Sequence, residues 1–186
     1  MNRSTIRIQT EDFDVGQELA ALRAGDAGAG AVASFLGLVR DVNAGAGVTG
    51  MTLEHYPGMT EKSLQAIVDA AQERWTLRRA LVIHRVGALL PCEQIVLVAV
   101  SSAHRGEAFA ACEFIMDYLK TRAPFWKREE GSAGAAWVDA RESDTAAAAR
   151  WETNKQTNKQ TDRQTAKSID QAGECEAFPQ AAPATP

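Results

Sequence analysis

The chain has 186 residues, of which 45% are hydrophobic and 24% are charged, and its formal net charge at pH 7 is −4. This length and composition are typical of one globular domain with a sizeable core. A negative net charge argues against a general attraction to nucleic acid or to an anionic membrane, so an anion site would have to be a local cluster of basic residues.

The beginning of the chain predicts a cytoplasmic protein. Its opening segment, MNRSTIRIQTEDFDVGQ, lacks the apolar core of a signal peptide. The longest apolar runs, such as Ile95–Val100, have the length of a strand and are too short to span a bilayer. Both observations leave the cytoplasm as the expected compartment.

The first third of the chain predicts strands separated by a helix, a loop and a turn. Strand patterns occur in three segments: Ser4–Gln9, Ala29–Phe35 and Val48–Tyr56. The first alternates and is predicted to be an edge strand. A helix is predicted from Asp14, its N-cap, to Ala24. The Gly- and Ala-rich stretch Asp41–Gly47 predicts a mobile loop, and Pro57-Gly58 ends the third strand.

The middle of the chain predicts two helices on either side of two strands. One helix runs from Thr60, its predicted N-cap, to Trp75 and has one apolar face: Leu64, Ile67, Val68, Ala71 and Trp75. The strands are Ala80–Val86 and Gln94–Ser101, and the second is so apolar that we expect it at the centre of its sheet. The longer helix runs from about Ala103 to Thr121. Its predicted core positions are Phe109, Cys112, Met116 and Leu119.

The end of the folded part predicts a closing pair of strands and then a tail. Pro124 ends the long helix, and Phe125–Glu129 and Ala136–Asp139 have strand patterns. The mixed order of elements predicts an α+β fold, with mixed or antiparallel sheets packed against helices, over residues 1–151. Residues 152–186 contain TNKQ-TNKQ-TDRQ and are rich in Ala, Gln, Pro and Thr. We expect this low-complexity tail to be disordered.

The cysteines and histidines show no pattern of a metal site. Cys92, Cys112 and Cys175 are far apart, without CxxC spacing or a nearby histidine pair, so neither a zinc site nor a disulfide framework is expected. His55 and His84 lie inside strand patterns and are predicted to be structural. No Gly-rich phosphate loop, nucleophile elbow or paired-carboxylate signature is present.

Basic residues mark both ends of the long helix. His104 and Arg105 open it, where free N–H groups bind anions and where acidic residues are usually preferred. An anion would relieve that conflict, although both side chains could simply face solvent. Lys120 lies in the last turn, and Pro124 could turn the chain so that Lys127 folds back towards it.

These lysines allow more than one interpretation. A lysine beside an acid and an aromatic can act as a nucleophile, a proton donor or a point charge for an oxyanion. Basic residues at a helix C-terminus also complement the helix dipole without any other function. Arg40, at the mouth of the predicted loop, suits a phosphate clamp or no particular role. We expect the topology to bring the basic residues together around an anionic small molecule.

Five strings resemble the family of molybdopterin synthase catalytic subunits. They are LEHYPGMTEK (Leu53–Lys62), VIHRVG (Val82–Gly87), SSAHR (Ser101–Arg105), IMDYLKTRAPFWKRE (Ile115–Glu129) and ARESD (Ala140–Asp144). The resemblance covers nearly all of residues 3–151, and its fifteen-residue string is too long to be a chance match. The tail is not part of it.

This resemblance implies a specific reaction. The substrate would be cyclic pyranopterin monophosphate (precursor Z), and the sulfur donor would be the C-terminal Gly-Gly thiocarboxylate of a ubiquitin-like small subunit. Two sulfur transfers and opening of the cyclic phosphate would give molybdopterin, in molybdenum cofactor biosynthesis. The resemblance also implies an α/β hammerhead-like fold, a homodimer within a heterotetramer, and no metal or other cofactor.

The resemblance assigns roles to residues of this chain. Catalysis would fall to Lys120, where the thiocarboxylate arrives, and to Lys127 beside it. Substrate contacts are implied for Arg40, His104, Arg105, Arg128 and Glu129, and backbone contacts for Leu38 and Val39. Further candidates for the pocket are Phe35, Met116 and Arg141, the last reaching a site across the dimer. The chain departs from the pattern at Leu38 and Val42, where more polar residues are expected, so the resemblance assigns no side-chain role there.

Two rival functions remain at this point. One is a non-catalytic module that binds a ubiquitin-like partner, and the other is a different enzyme acting on a phosphorylated pterin or nucleotide. Indifference to a thiocarboxylated partner would favour the second. The order of the two sulfur transfers, and whether Lys120 acts covalently or electrostatically, are left open.

Overall fold

A computed structural model describes residues 4–43, 46–131, 134–138 and 142–152 of the chain. Arg141 and residues 153–186, which include almost all of the predicted tail, lie outside the described residues. The chain divides after Ala148 into a compact unit and a second unit that begins at Ala149. None of the helices in the described segments is long and apolar enough to cross a membrane.

The described segments form strands and helices in mixed order. The strands are β1 (Ser4–Gln9), β2 (Ala31–Leu38), β3 (Val42–Asn43), β4 (Ala46–His55), β5 (Leu77–Arg85), β6 (Gly87–Leu89), β7 (Gln94–Ser102), β8 (Phe125–Gly131) and β9 (Gly134–Val138). The helices are α1 (Val15–Arg23), α2 (Met59–Arg74), α3 (Arg105–Arg122) and α4 (residues 142–152). The predicted α+β class is confirmed.

The first sheet has the strand order β1-β5-β7-β2. β1 pairs with β5 in parallel, and the other two pairings are antiparallel. The prediction that the apolar segment from Gln94 lies at the centre is confirmed, because β7 has a partner on each side and Val96–Val100 are buried. Ser4–Gln9 is an edge strand, also as predicted.

Helices cover both faces of this sheet. Leu22 of α1, together with Phe13 just before the helix, packs against alternate residues of β5 and β7, including Ile83 and Leu97. Because side chains alternate along a strand, Val82 points to the other face, against which α2 and α3 pack. The core is therefore a layer on each side of β5 and β7.

A second, smaller sheet has the order β3-β4-β8-β9, and β6 also pairs with β4. All of its pairings are antiparallel. Its buried cluster consists of Val39, Met51, Leu53 and Leu89, and this cluster ties the end of β2 to the second sheet.

A stack of aromatic rings also connects the two sheets. The ring of His84 on β5 stacks on Phe125 of β8, with centroids 3.8 Å apart, and His84 Nδ1 lies 2.8 Å from the Arg85 carbonyl oxygen. Burial lowers the pKa of His84 to about 4, against a raising effect of the Arg85 carbonyl, and His55 nearby lowers it further. His84 is therefore a neutral structural histidine at neutral pH, as the strand pattern predicted.

This burial predicts an acid sensitivity of the fold. The unfolded chain, with His84 near its ordinary pKa of 6.5, binds more protons than the folded chain between that value and about 4. Stability is therefore complete above the unfolded pKa and falls as the pH drops towards the folded pKa. We expect His84 to account for a loss of about 2 kcal/mol in the free energy of unfolding between pH 7 and pH 5.

Urea unfolding at both pH values would check this expectation. A His84→Gln variant should lose that part of the pH dependence while keeping the contribution of the carboxylates. An equal pH dependence in the two proteins would contradict the assignment to His84.

Three local predictions need correction. The N-cap of α2 is Gly58 at φ 79°, whose N–H donates to Glu61 Oε2 at 2.6 Å, and Thr60 is buried inside the helix with its hydroxyl 2.9 Å from the Tyr56 carbonyl oxygen. A second correction concerns α3. Phe109 was expected in the core but is 66% exposed, because the smaller side chains of Ala108, Ala111 and Cys112 are the buried ones in this part of the helix. The other predicted core positions of α3, Cys112, Met116 and Leu119, are buried.

The predicted loop Asp41–Gly47 is also partly wrong. Val42 pairs with Gly47 and Asn43 with Ala46, so β3 and the start of β4 form a hairpin. Residues 44–45 between them lie outside the described residues. The hairpin places Asn43 beside β8, which matters for the site.

Candidate functional site

The end of β2 is fixed from two sides. The Val39 N–H donates to the Glu93 carbonyl oxygen at 2.9 Å, and the Cys92 N–H donates to the Val39 carbonyl oxygen at 2.8 Å. The Val39 side chain is buried with Met51 and Leu53 of β4. Arg40 follows directly and is exposed, so a backbone held by two hydrogen bonds presents a cationic side chain to solvent.

β8 carries Lys127 and Glu129 on one face of the second sheet. In the antiparallel pairing of β4 and β8, Leu53 is opposite Lys127 and Met51 is opposite Glu129. Residues directly opposite each other point to the same face of a sheet. Lys127 and Glu129 therefore border the buried cluster that contains Val39, and the structure brings them together with the end of β2 that carries Arg40.

A chain of hydrogen bonds organises this end of the molecule. Lys127 Nζ donates to Glu129 Oε1 at 2.7 Å, and Asn43 Nδ2 donates to Glu129 Oε2 at 2.7 Å. The side chains of Lys127 and Glu129 are 31% and 17% exposed. The ammonium group is thus held in a partly desolvated position, where it stabilises negative charge more strongly than it would in water.

Lys120 lies in the last turn of α3, a few residues before β8 begins. Its Nζ is 3.4 Å from Asp144 Oδ1 of α4, and the two side chains are 48% and 24% exposed. Met116, one turn earlier on the same helical side, is buried. Only Ala123 and Pro124 separate α3 from β8, so Lys120 and Lys127 lie on either side of one short connection.

His104 and Arg105 lie at the other end of α3. His104 is its N-cap residue, without a side-chain capping bond, and both residues are exposed. At 1.5 Å per residue, Arg105 and Lys120 are about 22 Å apart along the helix axis. The expectation that the topology gathers all these basic residues within one chain is therefore wrong, because α3 separates them into two groups.

The remaining candidates fall into different surroundings. Phe35 and Leu38 lie on β2 and are 41% and 48% exposed. Arg128 points to the opposite face of β8 from Lys127, where its guanidinium lies 3.7 Å from Glu130. Asn43 and Asp144 were not predicted as site residues, and their separations from Glu129 and Lys120 in sequence leave no local signal.

Cys112 is a buried residue of the core. Burial raises the pKa of the Cys112 thiol to about 11, and Glu113 raises it further. Its Sγ lies 3.8 Å from the Val98 carbonyl oxygen inside the core, so it packs as a small apolar group. In the described ranges, no group of three or more His, Cys, Asp or Glu residues is arranged to hold a metal ion.

Comparisons with known proteins match this chain over nearly the whole described part. A family model described as "MoaE protein" matches residues 8–122. A protein of Ralstonia nicotianae named "Molybdopterin synthase catalytic subunit" is 69% identical over 147 residues, which are 79% of this chain and 84% of that protein. A protein of the same name from Escherichia coli is 56% identical over 151 residues, 81% of this chain and 100% of that protein.

A solved structure agrees with the sequence matches. The molybdopterin biosynthesis MoaE protein of Burkholderia ambifaria has a TM-score of 0.70 and 57% identity, and the match covers 80% of this chain and 98% of that one. The family model spans more than half of the chain, and the two relatives are 69% and 56% identical to it, so these matches establish the family. The chain belongs to the MoaE family, the family of molybdopterin synthase catalytic subunits.

Proposed function

We propose that this protein converts cyclic pyranopterin monophosphate to molybdopterin, using sulfur from the C-terminal thiocarboxylate of a ubiquitin-like small subunit. The observation that carries the proposal is the hydrogen-bonded group of Lys127, Glu129 and Asn43, which borders the buried cluster at the end of β2, in a domain of this family. The name of the relatives, a catalytic subunit, supports a further subunit as partner. We place the reaction in the cytoplasm, in the domain 1–151, and without a cofactor.

The two lysines and Arg40 have complementary chemical roles. Attack on the carbonyl carbon of the sulfur donor develops negative charge on the carbonyl oxygen. Opening the cyclic phosphate adds a further negative charge to the phosphate group. A fixed ammonium group, such as that of Lys127, stabilises developing charge without reorganisation. Lys120 is more exposed than Lys127. Once its ammonium group separates from Asp144, Lys120 can contact the C-terminus of the incoming small subunit. Arg40 suits the substrate phosphate because a guanidinium can donate two parallel hydrogen bonds.

The site is completed by a second copy of the chain. His104 and Arg105 cannot reach the substrate held by Lys120 of the same chain, because α3 holds them about 22 Å away. They can contribute only to a site that another copy supplies with its own lysines. We therefore assign the phosphate and pterin contacts of His104 and Arg105 to the partner's site in a homodimer, and place Arg141 in the same class.

β2 offers the surface for that homodimer. It is the last strand of the first sheet in the described part of the chain, so its outer edge has unpaired backbone groups. Val32, Leu36 and Leu38 along it are 39%, 38% and 48% exposed. Exposed apolar side chains on an open strand edge are typical of a surface that another chain covers.

Pairing of two β2 strands across a two-fold axis would also join the two groups of basic residues. Such pairing is antiparallel, so the end of one strand lies beside the start of the other. The end of β2 leads to Arg40, and its start, Ala31, is opposite Ser102, just before His104. The dimer would therefore place Arg40 of one chain near His104 of the other.

A charge at the centre of this edge should separate the two copies. We expect Leu36→Asp to shift the protein from dimer to monomer, because it buries an unpaired carboxylate twice in a two-fold interface. Sedimentation velocity at micromolar concentration measures the change. A control Met59→Asp variant, at an exposed apolar residue of α2, the helix that contacts β1 at the opposite edge of the sheet, should stay dimeric. A Leu36→Asp variant that remains dimeric would rule out this edge as the interface.

One assay tests the function itself. The purified protein is mixed with a thiocarboxylated small subunit and cyclic pyranopterin monophosphate, and molybdopterin is measured by the fluorescence of its oxidised product. Product that requires both components supports the proposal. A stable complex with the small subunit but no product would instead favour a binding module, and activity on another phosphorylated pterin would favour the second rival.

A further inference from the structure

Asn43 makes a long-range side-chain contact at the site. It lies on β3, in the hairpin that follows Arg40, and it is opposite Ala46 of β4. Its side chain nevertheless reaches β8, where Nδ2 donates to Glu129 Oε2 at 2.7 Å. A short contact between residues 86 positions apart in the chain is a tertiary constraint and not a feature of the local turn.

Glu129 accepts hydrogen bonds from both Asn43 and Lys127. One carboxylate oxygen accepts from Asn43 and the other from Lys127, each at 2.7 Å. The Glu129 side chain is 17% exposed and lies opposite the buried Met51. A carboxylate held at both oxygens has few orientations left, and the group bound to it is fixed in turn.

Lys127 depends on this arrangement for its direction. A lysine side chain has four rotatable bonds, so turning the ammonium group towards solvent costs little free energy. The Lys127 side chain is 31% exposed, so solvent is within its reach. Its bond to Glu129 is the described contact that keeps the ammonium group above the cluster of Val39, Met51 and Leu53.

We propose that Asn43 is a positioning residue for the reaction, which acts on Lys127 through the Glu129 carboxylate. The proposal rests on the proposed function of Lys127. It makes the β3–β4 hairpin part of the catalytic arrangement, although Asn43 itself need not touch the substrate. It also explains why an amide suits this place: an aspartate there would set two carboxylates against each other.

Turnover in a double-mutant cycle tests the route through Glu129. We expect Asn43→Ala to lower kcat about tenfold, with less than about a twofold change in KM for the small subunit. In a Glu129→Ala background the same substitution should have no further effect, since its target is gone. Asn43→Asp should lower kcat more than Asn43→Ala does, because it adds repulsion to the lost donor.

A matched control separates this role from general support of the sheet. Thr49 on β4 also reaches β8, where its hydroxyl donates to the Glu130 carbonyl oxygen at 3.2 Å. Thr49→Ala removes a side-chain hydrogen bond to the same strand, β8, without touching Glu129 or Lys127. It should leave kcat unchanged. Equal losses from Thr49→Ala and Asn43→Ala, or losses from Asn43→Ala and Glu129→Ala that simply add, would overturn the proposal.

A second measurement does not depend on turnover. Competitive labelling of amino groups with an acylating reagent, followed by mass spectrometry, gives the reactivity of Lys127 relative to exposed Lys62. We expect Asn43→Ala to raise the relative reactivity of Lys127 several-fold, because an amino group less firmly held by Glu129 is more accessible to the reagent, while Thr49→Ala leaves it unchanged. Unchanged Lys127 reactivity in Asn43→Ala would refute the coupling. Raised reactivity in a protein that makes no molybdopterin would refute the proposed function and keep the coupling.

Discussion

Replacing Lys120 by alanine is expected to lower kcat for molybdopterin formation by on the order of 10²–10³-fold, the loss typical of removing one preorganised charge at an oxyanion. Lys120 is the more exposed of the two lysines at the site and lies at the end of α3, held only by Asp144 in the described structure. A covalent role would make the loss larger. The measurement is the fluorescence assay under saturating small subunit and substrate.

Controls distinguish this loss from damage to the fold. The Lys120 side chain is 48% exposed, so its removal should change the free energy of unfolding by less than about 1 kcal/mol. Lys62→Ala, at an exposed lysine on α2, should retain wild-type turnover. A Lys120→Arg variant with substantial activity would favour the electrostatic over the covalent role, because arginine keeps the charge but is a poor nucleophile. Normal turnover in Lys120→Ala would end the assignment.

Two inactive variants should restore each other's activity. We expect Lys120→Ala and the double variant His104→Ala/Arg105→Ala to be nearly inactive as homodimers. In a mixed dimer, one site receives Lys120 from one chain and His104 with Arg105 from the other, and this site is intact. The second site carries both defects. The purified mixed dimer should therefore show about half of the wild-type activity, as two-fold symmetry requires.

Co-expression with two different affinity tags isolates the mixed dimer for this comparison. Mixing Lys120→Ala with Lys127→Ala provides the matched control, because both of these residues lie at the same end of one chain and no mixed site is complete. Activity in the first mixture and none in the second would establish a site shared between subunits. If neither mixed dimer is active, the two chains do not share a site, and the assignment of His104 and Arg105 to the partner's site is wrong.

Much of the fold was predictable because strong local patterns coincide with the tertiary arrangement. The wholly apolar segment from Gln94 predicted a central strand, and the alternating segment from Ser4 predicted an edge. β6 was missed because three residues, Gly87–Leu89, are too short to show a period. Phe109 was misplaced because spacing alone gives a helical face but not its rotation, and alanines near Ala108 allow α3 to lie closer to the sheet.

The candidate site shows a different limit. Lys120 and Lys127 could be associated from sequence because Pro124 and a short connection link them locally. The contact between Asn43 and Glu129 depends on how a hairpin packs on β8, and no residue pattern encodes it. The expectation that the basic residues at both ends of α3 lie together was wrong for a different reason. The predicted length of the helix already implied a separation of about 22 Å between Arg105 and Lys120.

The open edge of β2 has a consequence for the newly made chain. A strand with free backbone groups and exposed Val32, Leu36 and Leu38 can accept any extended segment, including that of an unfolded neighbour. A monomer waiting for its partner would thus be prone to aggregation, and rapid self-association would limit the time of exposure. The surface proposed to complete the active site would then serve a second purpose, the protection of the chain between synthesis and assembly.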